Sequence, residues 1–374
     1  MRAREVVGYV RRGEDPVAGA IVRVAPSDGF AASGATVAST LTDAGGFFGG
    51  LRPVALRYDL AAKLGDDLLF YTGLGGRYIE PALEGPRTTA RAFTGRVDIH
   101  LDRAVPEGHS VAFFANGDGV LGVTGDLASG LSVRQQRYTT EASIHVIEYE
   151  TAGGFEKATA YGKIDIALDA GVVRLATVTL QPIPYFVEPQ FAVTAPSAFA
   201  PANVDVYFGF SRTSDGLLAA VPVGTSKKLP IIPNAGYTYR ARSTVDGVVS
   251  DTGEISFDVL LPLTAIELPE PPTAMSPIEG ETRAAGESLL VEGEGVFEHV
   301  LVPEDGGREI RIITRQHEVA LPDVGVLGAA PATGPHTWTV RSYTTASVPE
   351  QLSGIDSRRY RAMSVSRPRS IILR

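Results

Sequence analysis

The sequence predicts an all-β protein built of tandem β-sandwich modules, and three observations support this. Short runs rich in β-branched and aromatic residues recur along the chain, and residues 95–101 alternate apolar and polar side chains. The 41 Gly and 25 Pro residues suit many tight turns between short strands. No long stretch shows the 3.6-residue apolar period of a helix, and the best helical candidate, residues 55–64, is short.

The remaining strands and turns follow from local patterns. Strands are predicted at residues 6–10, 20–24, 144–149, 163–168, 172–180, 204–210, 254–261, 309–314 and 337–343. Asp-Gly pairs predict turns, because this dipeptide tolerates the positive φ angles of hairpins. Such pairs begin at Asp28, Asp118, Asp215, Asp246 and Asp305. Residues 244–249 predict the tip of a hairpin.

Length and proline content predict several modules. The chain of 374 residues is longer than one hydrophobic core usually serves. Proline-rich breaks at residues 181–184 and 268–272, and a weaker break near residues 104–108, suit linkers better than central strands. We therefore predict four modules, at residues 1–103, 104–184, 185–268 and 269–374. Four modules in a row predict an elongated rod.

The first module carries a recognisable set of segments. It reads Val7-Gly8-Tyr9-Val10, then DPVAGAIVRV over residues 15–24 and TLTDAGGFF over residues 40–48, followed by Tyr58-Asp59-Leu60. These segments resemble the carboxypeptidase regulatory-like family, a transthyretin-like β-sandwich. The resemblance implies an accessory module of exported enzymes, receptors and surface proteins, and it brings no catalytic residues.

Two turns are predicted from these segments. Pro16 and Gly19 are predicted to shape the turn between the first two strands. The residues from Asp43 to Gly46 are predicted to turn the chain before Phe47 enters the core.

The last module resembles a fibronectin type III or similar immunoglobulin-like sandwich. The residues concerned are Pro277-Ile278-Glu279-Gly280, residues 321–323, and residues 336–343, which contain the single tryptophan, Trp338. We expect Trp338 to be buried in a strand. The two middle modules are predicted only as sandwich-like.

Composition excludes several classes of protein. The chain has no cysteine, so disulfides, Cys-based zinc sites and thiol nucleophiles are ruled out. The net charge of −9 argues against a nucleic-acid binder. No apolar run approaches the ~18 residues of a membrane span. The first residues lack the apolar stretch of a signal peptide, so we expect a signal to have been trimmed or a different export route.

Catalytic motifs are missing from the sequence. There is no Gly-x-Ser-x-Gly, and His317-Glu318 is followed by Leu321 where a zinc-protease motif needs its second histidine. Glu148 and Glu150 alternate along a strand and could line one face, but a glycosidase needs two carboxyls set across a cleft. We predict no enzyme, with an unrecognised carboxylate site as the alternative.

One loop could bind a cation. Asn116, Asp118 and Asp126 lie on a Gly-rich stretch, and oxygen-bearing side chains of this kind can wrap calcium. The alternative is a plain turn, because the spacing does not match an EF-hand. No other cofactor is predicted.

The C-terminal stretch is basic while the same module is acidic earlier. This pattern predicts head-to-tail contact between copies or docking on an anionic cell surface. The alternative is a charged edge that prevents strand-on-strand aggregation. The residues concerned are Arg358, Arg359, Arg361, Arg367 and Arg369.

These observations favour a non-catalytic, exported structural or adhesive protein of the cell surface or extracellular space. The alternative is an array of modules that bind glycans or a protein partner, with calcium as a possible requirement. Adjacent aromatic pairs predict one outward ring each, for contacts between modules or for a ligand. The pairs are Phe70-Tyr71, Phe113-Phe114, Tyr185-Phe186 and Tyr207-Phe208.

Overall fold

The computed structural model describes most of the chain. The described residues are 5–12, 15–27, 29–30, 37–53, 55–65, 67–83, 93–116, 120–121, 124–125, 131–135, 139–196, 198–211, 214–306, 309–330, 332–352 and 361–374. Within these ranges the chain forms strands and three short 3-10 helices, so the predicted all-β class is confirmed. In the described part, no helix has the length and apolar character needed to cross a membrane.

We divide the described residues into four segments, 5–83, 93–184, 185–268 and 269–374, and the counts below refer to the described residues of each. The first segment has ten strands. They are β1 (Val6–Tyr9), β2 (Arg11–Arg12), β3 (Asp15–Pro16), β4 (Ile21–Pro26), β5 (Ala38–Leu41), β6 (Phe47–Leu51), β7 (Tyr58–Leu64), β8 (Asp67–Leu74), β9 (Tyr78–Ile79) and β10 (Ala82–Leu83). Two small sheets, β6-β1-β9 and β10-β2-β3, pack beside a larger sheet that contains β4, β5, β7 and β8.

Local chemistry explains most of these elements. Gly19 has φ 72° at the first turn, as expected. Asp43 Oδ1 accepts hydrogen bonds from the amides of Gly45 (2.8 Å) and Phe47 (2.9 Å), which closes the second turn. The expectation for Phe47 was wrong, because Phe48 enters the core while Phe47 stays 38% exposed. The helical candidate at residues 55–64 was also wrong, since β7 is a strand covered on both faces.

The second segment contains nine strands and one 3-10 helix. They are β11 (Phe93–Leu101), β12 (His109–Asn116), β13 (Val120–Leu121), β14 (Thr124–Gly125), β15 (Leu131–Gln135), β16 (Thr139–Glu150), η1 (Gly154–Lys157), β17 (Ala158–Asp169), β18 (Val173–Val178) and β19 (Gln181–Pro182). They form two sheets, β13-β15-β11-β18 and β14-β12-β16-β17-β19.

The third segment contains β20 (Phe186–Val187), β21 (Gln190–Thr194), β22 (Asn203–Ser211), β23 (Ser214–Pro222), β24 (Leu229–Pro230), β25 (Gly236–Val245), β26 (Val248–Asp251), β27 (Ile255–Ser256) and β28 (Leu263–Glu267). Asp246 (φ 51°) and Gly247 (φ 78°) form the predicted hairpin tip between β25 and β26. The strand predicted at residues 254–261 is shorter than expected, because the amide of Leu260 turns back onto Asp258 Oδ1 (2.9 Å).

The fourth segment contains β29 (Thr273–Ser276), β30 (Thr282–Arg283), β31 (Ser288–Glu292), β32 (Val296–Pro303), β33 (Ile310–Thr314), β34 (Glu318–Ala320), η2 (Val324–Leu327), β35 (Gly334–Tyr343), η3 (Pro349–Leu352), β36 (Met363–Val365) and β37 (Arg369–Leu373). Trp338 is fully buried on β35, as predicted.

One 15-stranded sheet runs through three of the four segments. Its main order is β23-β22-β25-β26-β36-β35-β32-β33-β8-β7-β4-β5. The hairpin tip of the third segment joins the fourth through β26 and β36, where Ser250 pairs with Ser364. The fourth segment joins the first through a parallel pair, β33 and β8, which we call the first–fourth interface. The order in the sheet therefore differs from the order in the chain.

The described residues form four hydrophobic cores, which hold these layers together. The Trp338 core and the Tyr71 core each combine residues of the first and fourth segments, on opposite faces of the shared sheet. The Phe208 core combines the third segment with Phe114, Ile147 and Tyr161 of the second. The Phe113 core belongs to the second segment alone. The first and fourth segments, which are not neighbours in the chain, therefore pack together, while the predicted elongated shape and module boundaries stay predictions.

Candidate binding groove

Two open cavities on the third segment share part of their lining. One cavity, of about 700 Å³, has mixed polar and aromatic walls, and the other, of about 620 Å³, is mostly apolar. Gly236 and Tyr237, at the start of β25, line both. We call the two cavities together the third-segment groove. Cavities of this size with a few polar groups among aromatic rings are the usual form of ligand sites.

Tyr237 fixes the loop that separates the two cavities. Its hydroxyl accepts a hydrogen bond from the amide of Ile232 (2.7 Å) and faces the carbonyl of the same residue at 3.3 Å. Burial raises the pKa of Tyr237 to about 12, so the phenol stays protonated at neutral pH. Asn234 takes the left-handed conformation, φ 62°, in the same loop. The loop is therefore held from inside by one tyrosine.

A hydrogen-bonded chain ties this loop to the second segment. Asn234 Nδ2 donates to Tyr161 Oη at 3.0 Å, and Tyr161 Oη lies 2.8 Å from His145 Nδ1. The His145 ring stacks on Phe210 with 3.8 Å between ring centroids. Burial, followed by the nearby Lys163, lowers the pKa of His145 to about 4. A neutral His145 hydrogen-bonded to Tyr161 therefore anchors the groove at neutral pH.

The apolar cavity presents exposed rings and aliphatic groups. Tyr185 is 69% exposed, Phe186 is 46% exposed and Leu260 is 66% exposed. The Lys228 ammonium lies 4.7 Å from the centre of the Phe186 ring, within the range of a cation–π contact. An exposed apolar cluster with a cation at its edge is typical of an interaction surface. This is the only predicted aromatic pair in which both rings are exposed.

The polar cavity presents oxygen and nitrogen groups above an aromatic floor. Asp215 lies on β23 and Glu254 just before β27, and Ser256 adds a hydroxyl. Phe208 and Phe210 form the floor, and Phe208 is 1% exposed. Carboxylates and hydroxyls accept or donate hydrogen bonds, while ring faces take an apolar side of a ligand. The groove can therefore hold a ligand with both polar and apolar surfaces.

A second polar cluster surrounds Glu148, one of the carboxylates noted in the sequence. Glu148 is buried, and its Oε1 lies 3.1 Å from both His109 Nδ1 and Thr159 Oγ1. Arg103 Nη2 lies 2.9 Å from Oε2. Thr159 and His109 both contact the carboxylate rather than each other, so no nucleophile–base pair forms here. Glu150, two residues along the strand, is exposed.

A buried charge network lies beside the first–fourth interface. Glu298 on β32 is fully buried and pairs with Arg311 on β33. Its Oε2 also accepts from Tyr343 Oη (2.9 Å) and lies 3.4 Å from Arg341 Nη1. Several donors converge on one carboxylate, which a buried charge requires. We interpret this network as structural.

The predicted calcium loop is described only in part. Asn116 ends β12 and pairs with Ser143 of β16, with its side chain half-buried. Asp118 and Asp126 lie outside the described residues. Among described residues, no three His, Asp or Glu side chains come together as a metal site would require. Calcium at this loop stays a prediction.

The predicted basic surface divides into different roles. Arg361 donates to the carbonyls of Gln351 (3.2 Å) and Thr345 (3.1 Å), and Arg369 donates to Pro277 (2.8 Å). Arg367 is exposed, 3.6 Å from Asp246 Oδ2 at the third-segment hairpin tip. Arg358 and Arg359 lie outside the described residues. Contact with another molecule through these arginines stays a prediction.

Comparisons with known proteins give distant likenesses. No family model and no curated protein matches the chain. The minor pilin GBS52 of Streptococcus agalactiae is 10% identical and covers 49% of this chain and 98% of its own, at a TM-score of 0.20. The Bacillus anthracis TIE protein is 13% identical and covers 71% of this chain and 50% of its own, at 0.16. A shaft pilin SpaA variant from Lactobacillus rhamnosus GG is 12% identical and covers 49% and 99%, at 0.17. At these TM-scores the likenesses carry no argument.

Proposed function

We propose that this chain is a non-catalytic structural or adhesive protein of the extracellular space or outer cell surface. The observation that carries the proposal is the 15-stranded sheet, which joins the third, fourth and first segments into one hydrogen-bonded body. A scaffold of this kind resists deformation because its segments share strands and cores rather than flexible linkers. The resemblance of the first module to carboxypeptidase regulatory-like domains of exported proteins points the same way.

A binding role is the second candidate, and the third-segment groove favours it. The groove has the exposed rings of Tyr185 and Phe186 in its apolar cavity, and Asp215 and the largely buried Glu254 line its polar cavity. This combination suits a glycan or a protein partner, because both present apolar and hydrogen-bonding surfaces together. The calcium ion predicted at Asn116, Asp118 and Asp126 would serve this binding role.

Two measurements test the candidates separately. Surface location is tested by adding protease or antibody to intact and to lysed cells of the source organism. Signal from intact cells is expected, and signal only after lysis would overturn the proposed location.

Binding is tested on a glycan array, with calcium and with chelator. Tyr185→Ala should abolish any hit made through the groove, whereas Leu175→Ala should not. Leu175 is 70% exposed on β18, outside the groove, which makes it a matched control. An array without hits would remove glycans as ligands and leave a protein partner.

A further inference from the structure

The first–fourth interface joins the two ends of the chain along one strand pair. β8 lies parallel to β33, with Leu68 opposite Ile310 and Tyr71 opposite Ile313. Both faces of the pair are covered, since Phe70 lies in the Trp338 core and Tyr71 in the core named after it. The backbone hydrogen bonds of a strand pair covered on both faces are shielded from water, so this contact belongs to the packed core of the protein.

Two basic side chains of the first segment strengthen this contact. Arg23 Nη1 donates to the carbonyl oxygen of Val326 in η2. Lys63 Nζ lies 3.3 Å from the carbonyl oxygen of Leu327 and 3.1 Å from that of Gly328. The last carbonyls of a helical turn lack partners within it, and cations are favourable ligands for them. The interface is therefore tied at η2 as well as along the strands.

A carboxylate of the fourth segment accepts hydrogen bonds from the first segment. Glu350 Oε1, on η3, accepts hydrogen bonds from the amides of Gly75 (2.7 Å) and Gly76 (2.9 Å) of the first segment. Tyr58 Oη donates to the carbonyl of Gly76 at 2.8 Å in the same turn. Hydrogen bonds to an ionised carboxylate are stronger than neutral ones. Glu350 is thus a single side chain that fastens the first segment to the fourth.

The second and third segments lie between these partners in sequence. While the first–fourth interface holds, the two ends of the stretch from residue 93 to residue 268 stay at a fixed separation. A force between the chain termini then passes from the first segment to the fourth through β8 and β33. The intervening sandwiches cannot be extended until that contact breaks.

We propose that the first–fourth interface bears tension applied between the chain termini and shields the second and third segments, including the groove, from that tension. The biological use of this shielding rests on the proposed surface role, whereas the path of the force through β8 and β33 does not depend on it. A failure of the mechanical test would leave the proposed location untouched, and a cytoplasmic location would leave the mechanics untouched.

The test is single-molecule stretching of the full chain between handles at its two termini. In the wild type, rupture of the interface should precede every event from the intervening segments. Lys63→Met together with Glu350→Ala should lower the force of that first rupture and leave later events unchanged. Glu107→Ala, at an exposed glutamate of the second segment, is the matched control and should change neither.

A disulfide lock between the first and fourth segments removes the events of the second and third segments together with those of most of the fourth. A Cβ built on Gly76 lies 3.4 Å from Glu350 Cγ, so the two positions are direct neighbours across the interface and we choose them for a cysteine pair. The chain has no other cysteine to compete. Oxidised Gly76→Cys/Glu350→Cys should lose the events between the two positions. About 270 residues at ~3.6 Å each should be missing from the extension, roughly 970 Å, until reductant restores them.

Two results would overturn the proposal. One is unfolding of the second or third segment of the wild type before the first rupture. The other is a first rupture force that the double variant does not lower.

Discussion

Acid should weaken the fourth segment through His299. This side chain is fully buried on β32, its ring stacks on Trp338 with 5.9 Å between centroids, and neither ring nitrogen has a hydrogen-bond partner among the described residues. Burial lowers the pKa of His299 from 6.5 to about 3, with a smaller opposing effect from Glu298. The folded state therefore holds a neutral imidazole, while the unfolded state protonates at ordinary pH.

The magnitude follows from the difference between these pKa values. Because the folded pKa is depressed, the free energy of unfolding has its full value above about pH 6.5 and falls as pH decreases toward 3. Each pH unit inside this window costs about 1.4 kcal/mol. Between pH 7 and pH 4, His299 should therefore remove about 3 kcal/mol from the free energy of unfolding.

The single tryptophan makes the measurement specific. Guanidinium unfolding followed by Trp338 fluorescence reports the fourth segment, and His299→Phe removes the titrating group while keeping a flat ring. The wild type should lose about 3 kcal/mol more than His299→Phe between pH 7 and pH 4. His100→Asn, at an exposed histidine, should behave like the wild type. Parallel curves for wild type and His299→Phe would contradict a role for His299 in acid destabilisation, because other titrating groups are common to both.

Three further outcomes are expected. Glu298→Gln should cost about 3–5 kcal/mol in the same fluorescence assay, because it removes the fully buried carboxylate of Arg311 and leaves only the more exposed Glu309, 3.4 Å from Arg311 Nε. An effect below about 1 kcal/mol would contradict this. Gly253→Ala should lower the melting temperature more than Gly171→Ala. Both have positive φ, but an added Cβ lies 2.4 Å from the Arg361 carbonyl oxygen only at Gly253; equal shifts would count against a steric cause. Burial lowers the pKa of His145 to about 4. Acidification from pH 7 to pH 4 should therefore lower the free energy of unfolding of the wild type by about 2–3 kcal/mol more than that of His145→Phe. Calorimetry of both proteins at the two pH values measures this difference.

Local turn and strand chemistry could be predicted where neighbours in sequence decide it. The Asp246-Gly247 tip forms because both residues accept positive φ between two paired strands. Asp215-Gly216 has the same letters but lies within β23, so that predicted turn was wrong. A Cβ on Gly216 would come within 3.3 Å of the rings of Phe155 and Phe208. Glycine is needed there for packing, which no local pattern distinguishes from a turn.

The alternation of inward and outward side chains along a strand predicted burial correctly only for strands with one face exposed to water. Phe70 and Tyr71 are adjacent and both are buried, as are Phe113 and Phe114. The prediction of one outward ring per pair was wrong for them, because a different core covers each face of their strands. The layer that covers the second face comes from another part of the chain, so the local two-residue alternation of apolar and polar side chains cannot predict it.

The groove was only partly foreseeable from sequence. Tyr185 and Phe186 follow a proline-rich break, and their adjacency marked them as ring pairs that could face a ligand. Asn234 gave no signal, because its role depends on Tyr161, which is more than 70 residues away in the chain. Parallel pairing of β8 with β33 was equally hidden, since it joins two apolar runs that are ordinary by themselves.

The parallel pair also sets an order of events during synthesis. Tyr71 of β8 leaves the ribosome long before its partner Ile313, because about 240 residues separate them. At a translation rate of about 5–20 residues per second, β8 waits roughly 12–48 s with one edge unpaired. An apolar strand with an open edge is prone to pair with other chains. We therefore expect the first segment to need protection, by a chaperone or by slow export, until the last quarter of the protein has been made.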